Sequence, residues 1–229
     1  MNKSVTNIIN IVLLIILFFT SAGTIIANKR VTVLPLIYLD PGHGGPDGGA
    51  VGADGTKEKD IVLRVSLNLK TYLENSGFQV KMTRSGDYDL APNSSNNRKR
   101  DDIHKRCSLI NNSDCLLFVS VHANKFSDKR IYGAQVFYDK HHPEAKELAE
   151  TIQLMISDIM QNTKRIAKSI AGKYLIENAV KTGCLVEIGF LSNPDELILL
   201  KNESYQDKMA YAIYAGIISF LECNNKMQK

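Results

Sequence analysis

The chain has 229 residues, of which 44% are hydrophobic and 23% charged, and its formal net charge is +4 at pH 7. That length suits one globular domain with a sizeable core plus a targeting segment. The charge is too small to argue for a nucleic-acid partner, although it suits weak attraction to a polyanionic surface. Cys107, Cys115, Cys184 and Cys223 have no C-x-x-C spacing, which excludes a zinc finger or a thioredoxin-type site and leaves buried free thiols as the expectation.

The first feature in chain order is apolar. Ile11 to Phe19 is unbroken hydrocarbon, with Lys3 before it and Lys29-Arg30 after it. A signal peptide needs about 7–15 apolar residues and a membrane span about 20. Residues 1–30 therefore read as a signal peptide or an N-terminal membrane anchor, and residues 31–229 as the exported domain. Ile25 occupies a site where cleavage after Ala27 prefers a small residue, and no cysteine is placed to make a lipoprotein.

A short strand over 35–39 breaks into Asp40-Pro41-Gly42-His43-Gly44-Gly45-Pro46-Asp47-Gly48-Gly49. Such a loop can hold one side chain, His43, at a strand end. From 56 to about 77, Ile61, Val62, Val65, Leu69 and Leu73 recur at helical spacing, with Thr56 or Asp60 as cap and Glu58 near the positive end. A strand over 78–83, a loop over 85–97 and a helix from Arg98 to about 112 follow. The run 116–121 is an apolar strand ending in Ser120-Val121-His122-Ala123-Asn124. A strand over 133–139, a helix over 143–160, a polar segment over 161–169, a short strand at 174–176, a strand over 184–188 and two closing helices complete the chain. The alternation predicts an α/β fold, a twisted, mostly parallel mixed sheet flanked by helices on both faces.

Three strands deliver a polar group at or near the end of an apolar run: His43, His122 and Glu187. In α/β sheets, ligands gather outside those ends. Two histidines and a carboxylate suffice for a catalytic zinc with one position open to water. Glu187, in Leu185-Val186-Glu187-Ile188-Gly189, needs a partner because burying an unpaired charge is costly. A structural salt bridge to Arg106 or Lys181 is the alternative to a metal site. His104, His141 and His142 read as solvated, and so does the charge cluster Arg98-Lys99-Arg100. Spacing alone does not choose among Asp40, Asp47, Asp54, Glu58 and Asp60 as the carboxylate beside His43.

The ordered set Leu39-Asp40-Pro41-Gly42-His43-Gly44-Gly45, Lys57-Glu58-Lys59, Thr83-Arg84, Phe118 to Asn124 and Leu185 to Asn193 resembles the zinc-dependent N-acetylmuramoyl-L-alanine amidases of bacterial cell walls over roughly 36–221. The resemblance implies one zinc ion bound by His43, Glu58 and His122, with Glu187 as the catalytic carboxylate and peptidoglycan as substrate. Asn124 and Arg84 match family positions too, where a strand-end cap and a surface ion pair explain them nearly as well. Within the family the chain most resembles the germination-specific CwlD type, including the run Ile166-Ala167-Lys168-Ser169. That type implies action on spore cortex, in the intermembrane space of the forespore, ahead of muramic-δ-lactam formation by a separate deacetylase. Membrane contact would run through the N-terminal segment if it stays uncleaved. No long acidic insertion that could block the site follows His122, which leaves control to metal loading, export or a regulatory protein partner. An inactive wall-binding scaffold and a zinc peptidase are the competing function classes. Asp40 reads as either an orienting partner of His43 or a turn cap.

Overall fold

The computed structural model describes residues 34–226; the apolar leader lies outside the described residues. Six strands run in the order β2 (Phe78–Met82), β1 (Leu34–Pro41), β3 (Leu117–Asn124), β6 (Thr182–Phe190), β4 (Gln135–Tyr138) and β5 (Lys168–Ser169). The pairs β2–β1, β1–β3, β3–β6 and β4–β5 are parallel, and the β4–β6 pair is antiparallel, so β4 and β5 run opposite to the other four strands. The mostly parallel mixed sheet read from the alternation is therefore present.

Side-chain alternation divides the sheet into two unlike faces. Ile37, Leu39, Leu117, Val119, Val121, Cys184, Val186 and Ile188 enter the larger core, together with apolar residues of α1 (Glu58–Asn75), α3 (Pro143–Met160) and α6 (Glu203–Cys223). Tyr38, Phe118 and Leu185 enter the smaller core, with residues of α2 (Arg98–Asn111) and α4 (Tyr174–Asn178). On this second face the apolar rows end early. One pleat beyond Tyr38, Phe118 and Leu185 stand Asp40, Ser120 and Glu187, all buried. The thinner helical layer thus leaves polar groups at the carboxyl ends of the three central strands, Asp40 level with Ser120 and Glu187 one pleat further on, level with His122. The short helix α5 (Pro194–Lys201) follows β6, started by Asn193, whose side chain accepts from the amides of Asp195 and Glu196.

Two local expectations are corrected and one unread element is added. Residues 174–176 form part of helix α4, not a strand. A strand would send Leu175 and Ile176 to opposite faces, whereas both pack into the same core from one helical turn. The polar segment 161–169 ends in an edge strand that the sequence did not show, Lys168–Ser169 paired with β4. Neither Thr56 nor Asp60 caps α1: the cap position is Lys57, without a side-chain bond. Cys107, Cys115, Cys184 and Cys223 are free; the first three are buried, as expected, whereas Cys223 is exposed.

Candidate metal centre

The Glu58 carboxylate is the centre of the site. Because Glu58 opens α1, its side chain projects past the helix toward the strand ends, where its oxygens accept the amides of Ala50 at 2.7 Å and Ala123 at 3.0 Å. The same oxygens meet two imidazoles. His122 Nδ1 lies 2.9 Å from Oε1 and His43 Nε2 lies 3.1 Å from Oε2. The rings are edge to face, with centroids 5.0 Å apart. Burial raises the Glu58 carboxyl, but the hydrogen bonds and charges of His122 and His43 outweigh it and hold the group well below the usual carboxylate range. For His43, burial works downward, and Glu58 and Asp47 together pull it above its ordinary value.

His43 is held from behind. Its Nδ1 donates to Asp47 Oδ2 at 2.8 Å, which turns Nε2 toward Glu58. Of the nearby carboxylates, Glu58 faces both imidazoles, whereas Asp47 meets only the outer nitrogen of His43. Asp40 does neither and is not a turn cap. It is fully enclosed and accepts from Arg106 Nη1 at 2.8 Å, Thr83 at 2.6 Å and Ser120 at 2.7 Å. Burial raises its carboxyl, but Arg106 and these hydroxyls outweigh that and lower it overall.

Backbone shape matters as much as the side chains. His43 has φ 61°, a left-handed conformation that costs a non-glycine residue on the order of 1–3 kcal/mol unless its surroundings enforce it. Two buried guanidiniums supply that enforcement. Arg106 donates to the carbonyls of Pro41 and His43. Arg84 donates to Pro41 at 3.0 Å, Gly42 at 2.7 Å, Lys59 at 2.8 Å and Gly86 at 3.0 Å. Arg84 is therefore a buried clamp on the loop carbonyls and not a surface ion pair. Two glycines let the ligand side chains approach. A Cβ on Gly42 would lie 2.3 Å from His122 Cε1, and one on Gly49, at φ +70°, would lie 2.5 Å from Glu58 Oε2.

Glu187 stands beside His122 at the strand ends. Its Cα pairs with that of His122 across β3 and β6, so the two side chains share a face. Only 6% of the residue is exposed, and its Oε2 has no hydrogen-bond partner among the described residues. Burial, opposed by His122, holds its carboxyl above the ordinary range. The salt-bridge alternative fails on Arg106, which is committed to Asp40 and Asp102. Asn124 does act at a strand end, its Oδ1 accepting from Lys125 and its carbonyl from Leu191. The cluster 98–100 is mostly exposed, as expected, although its members form ion pairs. Arg98 pairs with Asp89, and Lys99 with Asp47 at 3.0 Å, beside a cavity of ≈ 350 Å³.

One ligand atom each from His43, Glu58 and His122 all lie within 4.8 Å of one another. This donor set of two imidazole nitrogens and a carboxylate suits a divalent metal ion. An orphaned buried carboxylate oxygen beside it and the two close glycine approaches fit a site built around a cation.

The model of the N-acetylmuramoyl-L-alanine amidase family matches residues 37–219. The chain belongs to this amidase family. The chain is 46% identical over 188 residues to the germination-specific N-acetylmuramoyl-L-alanine amidase of Bacillus subtilis, covering 81% of this chain and 79% of that one. It is 28% identical to the amidase AmiA of Escherichia coli, covering 84% of this chain and 76% of that protein. Among solved structures it is similar to the CwlD amidase of Clostridioides difficile in complex with the GerS lipoprotein, with TM-score 0.80, 38% identity and coverage of 82% of this chain and 99% of that one. The strand-end motifs read from the sequence therefore belong to the family's amidase domain, and the His43–Glu58–His122 cluster lies within the matched span.

Proposed function

We propose that the protein is a cortex amidase that hydrolyses the amide between the lactyl group of N-acetylmuramic acid and L-alanine, ahead of muramic-δ-lactam formation. The observation that carries this reading is the orphaned Glu187 carboxylate beside a three-ligand cluster within the amidase span. His43, His122 and Glu58 would hold one zinc ion. Zinc supplies Lewis acidity, which makes water nucleophilic near neutral pH and polarises a carbonyl.

Glu187 is the proton carrier. Its raised affinity for a proton suits a base that accepts one from the attacking water and returns it to the departing alanine nitrogen. One water proton reaches the nitrogen through Glu187 and the second leaves the new carboxyl group for the released amine, so the balance closes on a lactyl carboxylate and an alanine ammonium. Asp47 fixes the His43 tautomer, while Arg84 and Arg106 fix the backbone that carries the ring. Low glycine ground around His43 gives a glycan strand room to lie across the site.

The leader delivers the domain across the cytoplasmic membrane and stays as an anchor or is removed; the forespore intermembrane space is its place of action. The Clostridioides difficile relative was solved with a lipoprotein, which supports a regulatory protein partner here. Mass spectrometry of digested peptidoglycan tests the bond assignment. The expected products are glycan with a free lactyl carboxyl and an intact stem peptide beginning with L-alanine. Cuts within the stem would instead indicate a peptidase, and no product would indicate a scaffold.

A further inference from the structure

The rim of the site is electrostatically lopsided. On the β1 side, most cations near the cluster are committed: Lys59 to Asp87, Lys99 to Asp47, Arg98 to Asp89 and Arg106 to Asp40 and Asp102, while Lys57 beside Gly48 forms no ion pair among the described residues. On the β4–β5 side the chain from 159 to 176 holds Lys164, Arg165, Lys168 and Lys173 and no acidic residue. Arg165 is engaged with Gln135 and the Tyr132 carbonyl. Lys168 and Lys173 are exposed and form no ion pair among the described residues. The next carboxylate along the chain, Glu177, accepts the Gly172 amide at 2.6 Å.

Register places these lysines on the reacting face. Glu187 pairs with Gln135, while Phe137 pairs with both Leu185 and Lys168. Paired residues share a face, and Phe137 and Leu185 pack in the core beneath α2 and α4. Lys168 therefore stands on the face that carries Glu187, two strands away, which is roughly 10 Å across the sheet. Lys173 occupies the N-cap position of α4, whose Leu175 and Ile176 pack on that same face. Burial dominates the Glu187 carboxyl, and the charged groups close enough to act on it include His122, Glu58 and Lys173.

We propose that Lys168 and Lys173 form a cationic subsite for the acidic stem peptide, on the leaving-group side of Glu187. The inference rests on the amidase reading and adds a direction to it. The stem leaves the cleaved amide across β4 and β5, and the glycan lies toward the glycine loop. An extended peptide advances about 3.4 Å per residue, so carboxylates two to three residues beyond the cleaved amide arrive beside these lysines. Their ammonium groups are solvated point charges suited to such contacts.

The test compares two synthetic muramoyl peptides, one with free stem carboxylates and one with the same carboxylates amidated, on the wild type and on K168E/K173E. At low ionic strength the wild type is expected to prefer the acidic stem by roughly tenfold in kcat/KM, carried by KM and shrinking with added salt. The double variant is expected to lose or reverse that preference while keeping its melting temperature, since both side chains are exposed. A preference unchanged by the double substitution, or absent in the wild type, overturns the subsite while leaving the amidase reading intact. Failure of the wild type to cleave either substrate overturns the amidase reading and the subsite with it.

Discussion

Glu187→Gln is expected to lower turnover by about 10²–10⁴-fold, the usual contribution of a positioned acid–base group, while zinc content stays at the wild-type level. The amide keeps the shape of the carboxylate and cannot take a proton from water. The side chain is also not among the three whose ligand atoms face one another in the cluster. Stability should move the other way. The Glu187 carboxyl binds its proton more tightly in the fold than in the unfolded chain, because burial disfavours the charge. The metal-free wild type thus loses stability as pH rises from the unfolded carboxyl value of about 4.3 through the raised folded value. Metal-free Glu187→Gln lacks that loss and should melt higher at pH 7, with the difference vanishing below about pH 4. Steady-state rates, metal analysis and melting curves on one preparation check all three parts. Release of stem peptide by the Glu187→Gln variant at the wild-type rate would remove Glu187 from the mechanism.

Arg106→Met is expected to destabilise the domain by about 3–5 kcal/mol, the range for breaking a buried ion pair from one side. Arg106 links Asp40, Asp102 and the carbonyls of Pro41 and His43, with 2% of its side chain exposed. Its loss strands Asp40 in the core and frees His43 from its left-handed backbone. Asp40 has a lowered folded pKa, so its contribution is present above the unfolded value of about 3.9 and is lost as pH falls through the folded one. In the variant, burial dominates Asp40 and raises that folded value. The deficit relative to wild type should therefore be largest near neutral pH and narrow in acid. Urea melts at several pH values measure it, and a deficit flat across pH would show that Asp40 is not the group left stranded.

Most of this architecture was legible because the sheet is central. Strands buried on both faces read as apolar runs, and the polar groups that interrupt them at His122 and Glu187 stand out by contrast. The ligand set needed the family motif, since spacing left five carboxylates open beside His43. What stayed hidden was set by contacts distant in sequence. Asp40 lies three residues from His43 yet belongs to Arg106, 66 positions away, while Asp47 orients the ring across four. Arg84 looked like a surface charge because its partners are backbone carbonyls, which leave no signature in side-chain composition. The helix at 174–178 and the edge strand at 168–169 escaped the sequence because both are too short to show a period.

The most direct measurement follows the metal. Purified protein is analysed for bound zinc, stripped with a chelator until none remains, and assayed on peptidoglycan with mass-spectrometric detection before and after zinc is restored. The expected result is one equivalent of zinc per chain, no release of stem peptide from the stripped protein, and recovery on readdition. Release of intact stem peptides at the original rate by protein shown to be free of metal would contradict a reaction centred on His43, Glu58 and His122.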